Sequence, residues 1–148
     1  MKETLCYTDG SCKTGDAGGW GYVVRPPSGP ALEGHGSQPG TLAKAMEYRA
    51  VAEALAVVPE GSVAVVFSDN LSLVENLQNH LETWRSRAFA KVDPVIVEDV
   101  RRIDARITTR GLRVRFQWIR AHNGNPGNER ADALAAQGAR EAKASIPR

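Results

Sequence analysis

Residues 63–69 have the sequence VAVVFSD, a run of five apolar residues followed by a serine and an aspartate. Because odd and even positions of the run are equally apolar, it is typical of a central strand that is covered on both faces. The stretch before it, Lys44 to Val58, has the periodicity of a helix. A weaker strand at Ala31–Gln38 precedes this helix. The three form a strand–helix–strand unit, which predicts an α/β domain.

Further elements extend this unit on both sides. They are strands at Thr4–Thr8, Trp20–Arg25 and Arg113–Ile119, and helices at Asp93–Arg110 and from Asn125 to about Glu141. Asp93-Pro94 fits the cap and first turn of its helix, and Val114, Phe116 and Trp118 alternate onto one face of the last strand. Short Gly-rich or Pro-rich turns separate the first three strands, which predicts an antiparallel meander. We therefore expect a mixed sheet of about five strands flanked by helices.

The length of 148 residues suits a single domain, residues 1–148, with a core at about residues 4–141 and a disordered tail at residues 142–148. There is no charged-then-apolar leader and no apolar run of about 18 residues. Cys6 and Cys12 would lie about 20 Å apart on an extended strand, too far to pair readily. We expect a cytoplasmic monomer with reduced thiols and with no membrane or protein partner.

The charge is unevenly distributed along the chain. The net charge is only +2, yet residues 84–120 carry ten basic and four acidic side chains. Such a segment is compatible with a phosphate-facing patch beside an acidic centre, and equally with the solvated face of a helix. The charge pattern supports a nucleic-acid interpretation without establishing it.

Four carboxylates occupy positions where acidic residues need an explanation. Asp9 shares a strand face with apolar residues, and Glu47 lies on the apolar stripe of its helix. Asp69 ends the central strand, and Asp132 borders the stripe of the last helix. Each alone is more often structural. If they converge, their charges repel and burial adds to the cost, and a bound cation resolves both problems. Oxygen-only ligands favour Mg²⁺, and then Mn²⁺, over zinc.

The motifs around these carboxylates occur in one register along the chain. They are Tyr7-Thr8-Asp9-Gly10-Ser11-Cys12, Met46-Glu47, Ser68-Asp69, Trp118-Ile119-Arg120-Ala121-His122 with Gly124, and Asn128-Glu129-Arg130-Ala131-Asp132. In order and spacing they resemble type-1 ribonuclease H over about residues 4–141. The resemblance implies the RNase H-like fold, in which three antiparallel strands are followed by parallel strands and the strand of Asp9 lies beside that of Asp69.

The resemblance also implies an activity. It is that of an endonuclease that hydrolyses the RNA strand of an RNA–DNA hybrid and leaves 5′-phosphate and 3′-hydroxyl ends. The four carboxylates would be catalytic residues and the ligands of two Mg²⁺ ions, with Mn²⁺ as a substitute. His122, on a Gly-rich loop, would be a further catalytic residue that moves protons or helps product to leave. His35 and His80 have no motif around them, and we interpret both as surface residues.

The resemblance places substrate contacts in two regions. The candidate substrate-binding residues are Gly10, Ser11, Cys12 and Asn70 near the carboxylates, and Trp84, Arg85, Arg87 and Lys91 in a basic protrusion that includes Phe89. Contacts of this kind recognise the shape of a hybrid across its minor groove, so base sequence should matter little. Trp84 and Phe89 suit equally well the packing of the protrusion's own hinge.

The chain departs from the family beside the expected groove. The family commonly has Thr-Asn-Asn-Arg before the equivalent of Glu47, where this chain has Leu42-Ala43-Lys44-Ala45. After Asp69, Asn70-Leu71 replaces a common Ser-Gln. The loss of these amide contacts predicts weaker hybrid binding with a shallower salt slope.

Three other functions are weighed against this one. An integrase-like or resolvase-like DNA nuclease or strand-transfer domain shares the fold, but the turn after Asp9 and the His122 loop argue against it. A non-catalytic hybrid-binding module would lack a carboxylate, and none is missing. A glycosidase also uses paired carboxylates, but nine aromatic residues are few for a sugar cleft. Residues 15–21 match neither G-x-G-x-x-G nor a P-loop.

Overall fold

The computed structural model describes residues 2–13 and 16–145. Its strands are β1 (Thr4–Lys13), β2 (Ala17–Arg25), β3 (Leu32–Gln38), β4 (Val63–Ser68) and β5 (Arg113–Trp118). Its helices are α1 (Ala43–Val57), α2 (Leu71–Asn79), α3 (Leu81–Ser86), α4 (Val97–Thr109) and α5 (Pro126–Ser145). None of these described helices combines the length and the apolarity needed to cross a membrane.

The strands form one mixed sheet in the order β3-β2-β1-β4-β5. β2 pairs antiparallel with β1 and β3, whereas β4 pairs parallel with β1 and β5. This confirms the predicted meander followed by parallel strands. Ala64, Val65 and Val66 of β4 are fully buried, as the apolar run at residues 63–67 predicted.

Helices cover both faces of the sheet, and alternate residues of β1 point into opposite layers. Cys6 belongs to the larger apolar cluster, together with Val51 of α1 and Ile103 of α4. Tyr7 belongs to the smaller cluster, together with Leu134 of α5. Each large apolar side chain that is fully buried contributes about 1.5–3 kcal/mol relative to exposure, so the two layers hold α1 and α5 firmly against the sheet.

Two glycines of β2 let α5 lie close to the sheet. A Cβ on Gly19 would overlap the main chain of Ala135, and a Cβ on Gly21 would overlap that of Ala131. The main chain of the helix therefore rests directly on the main chain of the strand. This contact sets the height of α5, and hence of Asp132, above β1.

Several predicted boundaries were wrong. β1 continues past Thr8 to Lys13, so Asp9 lies within a strand. α4 begins at Val97 rather than at Asp93, because Asp93 begins a separate turn. The main-chain carbonyl of Asp93 accepts the N–H of Val97 at 3.0 Å, and its Oδ1 accepts the N–H of Val95 at 2.9 Å.

The end of the chain also differs from the expectation. α5 extends to Ser145, and Ala142 is buried. A disordered tail beginning at residue 142 is therefore wrong for residues 142–145, which continue the helix, and residues 146–148 lie outside the described residues. The sequence periodicity also left residues 71–86 unassigned, and α2 and α3 occupy them.

Candidate active site

Asp9, Glu47 and Asp69 converge where the middle of β1 passes the carboxyl end of β4. Each offers one carboxylate oxygen, and the three oxygens lie within 4.8 Å of one another. β1 and β4 are parallel neighbours in which Tyr7 lies beside Phe67. Two residues further along each strand, Asp9 and Asp69 therefore emerge side by side. The strand register brings together two residues that are far apart in the sequence.

Glu47 reaches this point from α1 because Gly10 leaves room for the helix. A Cβ on residue 10 would overlap the main chain of Met46 and Glu47. Val51 and Ala54, which share the helix stripe of Glu47, are fully buried. The stripe thus directs the Glu47 side chain inward, as its spacing predicted.

Asp132 approaches the group from α5. Its carboxylate lies close enough to raise the pKa of Asp9, and its charge also raises the pKa of Glu47. It stands outside the set of three oxygens that lie within 4.8 Å of one another. Asp132 therefore lies at the edge of the cluster, beside Asp9, and the structure brings the other three predicted carboxylates around Asp9.

Burial and mutual repulsion disfavour the charged forms of these groups. Burial, the charges of Glu47 and Asp69, and hydrogen bonds with Asp132 and Glu47 raise the pKa of Asp9 to about 10. Burial is also the main reason that the pKa of Glu47 rises to about 7, and its hydrogen bond with Asp9 partly offsets this effect. A cation placed among these oxygens would reverse both shifts.

The donor set fits a hard divalent cation. Glu47 Oε2 is buried and has no hydrogen-bond partner, which is a costly state for a carboxylate oxygen. Within the described ranges the cluster contains carboxylates alone, with no histidine or cysteine. Carboxylate oxygens are the ligands that Mg²⁺ and Mn²⁺ prefer. The residues present can therefore hold such an ion, and the unpartnered oxygen is explained if they do.

His122 lies outside the carboxylate cluster. It is exposed on the loop between β5 and α5, with φ at +54°, a conformation that few residues other than glycine adopt. This loop leaves the sheet at the edge where the carboxylates meet. His80 is exposed as expected, whereas His35 is partly buried and contacts Glu141 at 3.2 Å.

Three of the four predicted substrate-binding residues beside the carboxylates, Gly10, Cys12 and Asn70, have structural contacts. The main-chain N–H of Gly10 donates to Asp9 Oδ1 at 2.9 Å. Ser11 follows in β1, and Cys12 Sγ lies 3.5 Å from the carbonyl of Thr41, just before α1. Asn70 caps α2, because its Oδ1 accepts the N–H of Leu73 at 3.0 Å. These contacts fix the local main chain.

The protrusion, residues 84–91, is only partly available to a substrate. Trp84 and Phe89 are partly buried and pack against the main core, which favours the hinge-packing alternative. Arg85 forms an ion pair with the buried Asp104 at 2.6 Å. The remaining predicted cations of the segment, Arg87 and Lys91, are exposed.

Two contacts near the site were not anticipated. Trp118 Nε1 donates to the main-chain carbonyl of Asp69 at 3.1 Å, whereas the sequence predicted only that Trp118 shares a strand face with Phe116. Lys44 Nζ lies 2.8 Å from Asp93 Oδ2, which ties the start of α1 to the turn before α4. The position of Trp118 near the end of the last predicted strand indicated that its side chain could lie close to the site. Its partner could not be predicted, because every residue has a main-chain carbonyl and the sequence does not distinguish one from another.

The fold is that of an RNase H. It matches the crystal structure of LC11-RNase H1 in complex with RNA/DNA hybrid, with a TM-score of 0.71 and 22% sequence identity, over 95% of this chain and 99% of that one. It also matches RNase H1 from the halophilic archaeon Halobacterium salinarum NRC-1, with a TM-score of 0.71 and 20% identity, over 95% of this chain and 99% of that one.

Sequence comparison gives the family. The RNase H family model matches residues 1–140. Ribonuclease H of Polaromonas naphthalenivorans is 34% identical over 145 residues, which cover 95% of this chain and 89% of that protein. Ribonuclease H of Verminephrobacter eiseniae is 35% identical over 147 residues, which cover 96% and 94%. The chain therefore belongs to the RNase H family of metal-dependent nucleases and is a ribonuclease H.

Proposed function

We propose that this ribonuclease H cuts the RNA strand of RNA–DNA hybrids with divalent metal ions held by Asp9, Glu47, Asp69 and Asp132. The observation that carries the proposal is the cluster of three oxygens within 4.8 Å, in which Glu47 Oε2 is buried without a partner. Such a cluster is stable at neutral pH only when its charge is neutralised.

Mg²⁺ is the proposed metal, with Mn²⁺ as a substitute, because the donors are all carboxylates. Two ions at this site would supply an activated water and stabilise the leaving 3′-oxygen, so that products carry 5′-phosphate and 3′-hydroxyl ends. Glu47, Asp69 and Asp132 all act on the pKa of Asp9, so we assign Asp9 as the residue that would help to hold both ions.

The side chains of this chain hold the reacting groups in place. The carboxylates come from β1, α1, the end of β4 and α5, four elements that pack on one core, so their relative positions are well defined. His122 lies on the exposed loop at the same edge of the sheet. We assign to its imidazole the proton exchange that helps the product to leave.

Hybrid binding is supported by the match to LC11-RNase H1, whose structure was solved with an RNA/DNA hybrid. The exposed Arg87 and Lys91 are the cations that we assign to the phosphate backbone. We assign Gly10, Ser11, Cys12 and Asn70 to substrate contacts beside the carboxylates, and Trp84, which packs against the main core, to the support of the protrusion. Arg85 was also predicted to contact substrate, but we do not assign it to the phosphate backbone because its guanidinium pairs with Asp104.

We also propose that the enzyme acts as a monomer in the cytoplasm. Its exposed large apolar side chains within the described chain are Leu32, Leu42, Leu71, Val95 and Trp118. They come from different elements, rather than from one continuous apolar surface of the kind that a stable dimer needs. Light scattering after size exclusion should give a single species near 16.0 kDa.

The test is cleavage of end-labelled RNA–DNA hybrid, RNA duplex and DNA duplex, each with Mg²⁺, Mn²⁺ or EDTA. The expected result is cutting of RNA in the hybrid alone, abolished by EDTA and by Asp9→Asn. Cleavage of duplex DNA would favour the DNA-nuclease alternative. Hybrid binding without cleavage at any metal concentration would favour a binding module.

A further inference from the structure

β4 stops pairing one residue before Asp69. Its last pair with β5 joins Ser68 to Trp118, and the N–H of Ile119 donates to the carbonyl of Ser68 at 3.0 Å. Asp69 thus lies beyond the ladder of the sheet. Its carbonyl needs a hydrogen-bond partner from elsewhere.

Trp118 supplies that partner. Its indole Nε1 donates to the main-chain carbonyl of Asp69 at 3.1 Å, which joins the end of β5 to the residue that carries the carboxylate. Trp118 is 43% exposed. Since tryptophan is usually well buried, burial of apolar surface alone does not account for its position. A rigid indole with two side-chain torsions holds such a hydrogen bond at low entropic cost.

Asp69 needs this restraint because its neighbours repel it. Its oxygen lies within 4.8 Å of those of Asp9 and Glu47, and like charges at this separation favour movement of the main chain towards solvent. The hydrogen bond from Trp118 to the main-chain carbonyl of Asp69 opposes that movement and does not involve the carboxylate. Both carboxylate oxygens of Asp69 then stay available to a metal.

We infer that Trp118 is a positioning residue for the metal site: its indole N–H fixes the main chain of Asp69 and so keeps the carboxylate in the cluster. The inference rests on the proposed metal site formed by Asp9, Glu47, Asp69 and Asp132. It gives Trp118 no contact with the reacting atoms.

The test compares Trp118→Phe, which removes the donor but keeps an aromatic ring, with Trp20→Phe. Trp20 lies on β2, where it stacks on Tyr22. Metal-free proteins are titrated with MnCl₂ in a calorimeter, without substrate. Trp118→Phe should weaken Mn²⁺ binding about threefold to tenfold, the size expected for one lost hydrogen bond. Trp20→Phe should change it by less than about twofold.

Hybrid cleavage at saturating metal separates positioning from substrate contact. Positioning predicts a lower kcat for Trp118→Phe with the KM for hybrid within about twofold of wild type. Unchanged Mn²⁺ affinity overturns the inference, and a raised KM with unchanged kcat would instead make the ring a substrate contact. Circular dichroism checks folding, and Trp118→Tyr is measured in the same way if the Phe variant is unfolded.

The calorimetric comparison needs no substrate. If the wild-type protein binds Mn²⁺ but does not cut hybrid, the proposed substrate is wrong. The Mn²⁺ titrations of the two variants then still test the role of Trp118. If the wild-type protein does not bind Mn²⁺ at all, both fail together.

Discussion

The α-carbon of Gly10 lies directly against the main chain of Glu47, with no side chain between β1 and the first turns of α1. Asp9 is the residue before Gly10. The strand therefore carries the carboxylate of Asp9 at the place where Gly10 leaves room for Glu47. The spacing between the two carboxylates therefore depends on the absence of a Cβ at residue 10.

Gly10→Ala should push α1 away from the sheet and lower both stability and activity. We expect a loss of about 1–3 kcal/mol in the free energy of unfolding and a fall in kcat of about tenfold or more as Glu47 leaves the cluster. Urea unfolding and hybrid cleavage measure the two effects.

Gly61→Ala is the matched control for this change. Gly61 has φ at +73° and open space around the place of a Cβ, so alanine there costs about 1 kcal/mol from backbone strain and leaves kcat unchanged. Equal losses of activity in the two variants would contradict a specific role for the contact between Gly10 and Glu47.

Glu47→Gln should lower kcat by about 100-fold or more and weaken Mn²⁺ binding, because it removes a charge from the proposed metal ligands. Glu53→Gln makes the same chemical change on the same helix, at a residue beside Tyr22 rather than Asp9. It should retain kcat within about twofold. Steady-state kinetics and calorimetry measure both variants, and similar effects in the two would argue against Glu47 as a ligand.

Asp9→Asn should abolish cleavage yet stabilise the metal-free protein near neutral pH. Asp9 is 5% exposed, and in EDTA its charged form is opposed by burial and by two neighbouring carboxylates. In the unfolded protein Asp9 ionises at about pH 8, whereas the fold opposes its ionisation, and asparagine removes this difference. The free energy of unfolding should therefore rise by about 1–3 kcal/mol at about pH 8. Asp93→Asn, which breaks the ion pair with Lys44, should be slightly destabilising. A less stable Asp9→Asn protein in EDTA would contradict the repulsion on which the site argument depends.

The pH dependence of stability follows from the same shifts. The folded-state pKa values of Asp9 and Glu47, about 10 and about 7, lie above the unfolded values near 4. These groups therefore stabilise the fold most below about pH 4, and that contribution is lost as pH rises towards 7 and then 10. Urea unfolding in EDTA should show this decline between about pH 5 and pH 8. Mg²⁺ should remove most of it in the wild-type protein but not in Asp9→Asn.

Arg85→Ala should affect stability more than hybrid binding, because it leaves the buried carboxylate of Asp104 without its partner. We expect a loss of about 1–3 kcal/mol in the free energy of unfolding. Arg87→Ala and Lys91→Ala should leave stability unchanged and each lower the slope of log affinity against log salt by about 1. Fluorescence anisotropy with labelled hybrid, in the inactive Asp9→Asn background, measures the slopes. A weaker salt slope in Arg85→Ala would show that Arg85 does reach the phosphates.

The α/β class, the antiparallel meander and the inward direction of Glu47 were predictable because each has a local signature, whereas the joint role of the four carboxylates came from the family resemblance. The apolar run at residues 63–67 has no polar face, and Glu47 interrupts an apolar stripe. Such patterns show which face of a strand or helix is buried. The buried face can be predicted from the periodicity of that one segment, without knowledge of the rest of the chain.

Contacts between distant segments have no such signature. Arg85 was predicted to contact substrate, and Trp118 to share a strand face with Phe116. In the structure Arg85 pairs with Asp104, and Trp118 donates a hydrogen bond to the carbonyl of Asp69. Only the packing of α3 against α4, and the end of β5 against the end of β4, selects those partners. Periodicity predicts whether a side chain faces inward or outward. The partner of that side chain depends on how the whole chain packs. Ion pairs and main-chain hydrogen bonds act over a few ångströms in space, whatever the separation of the two residues along the sequence.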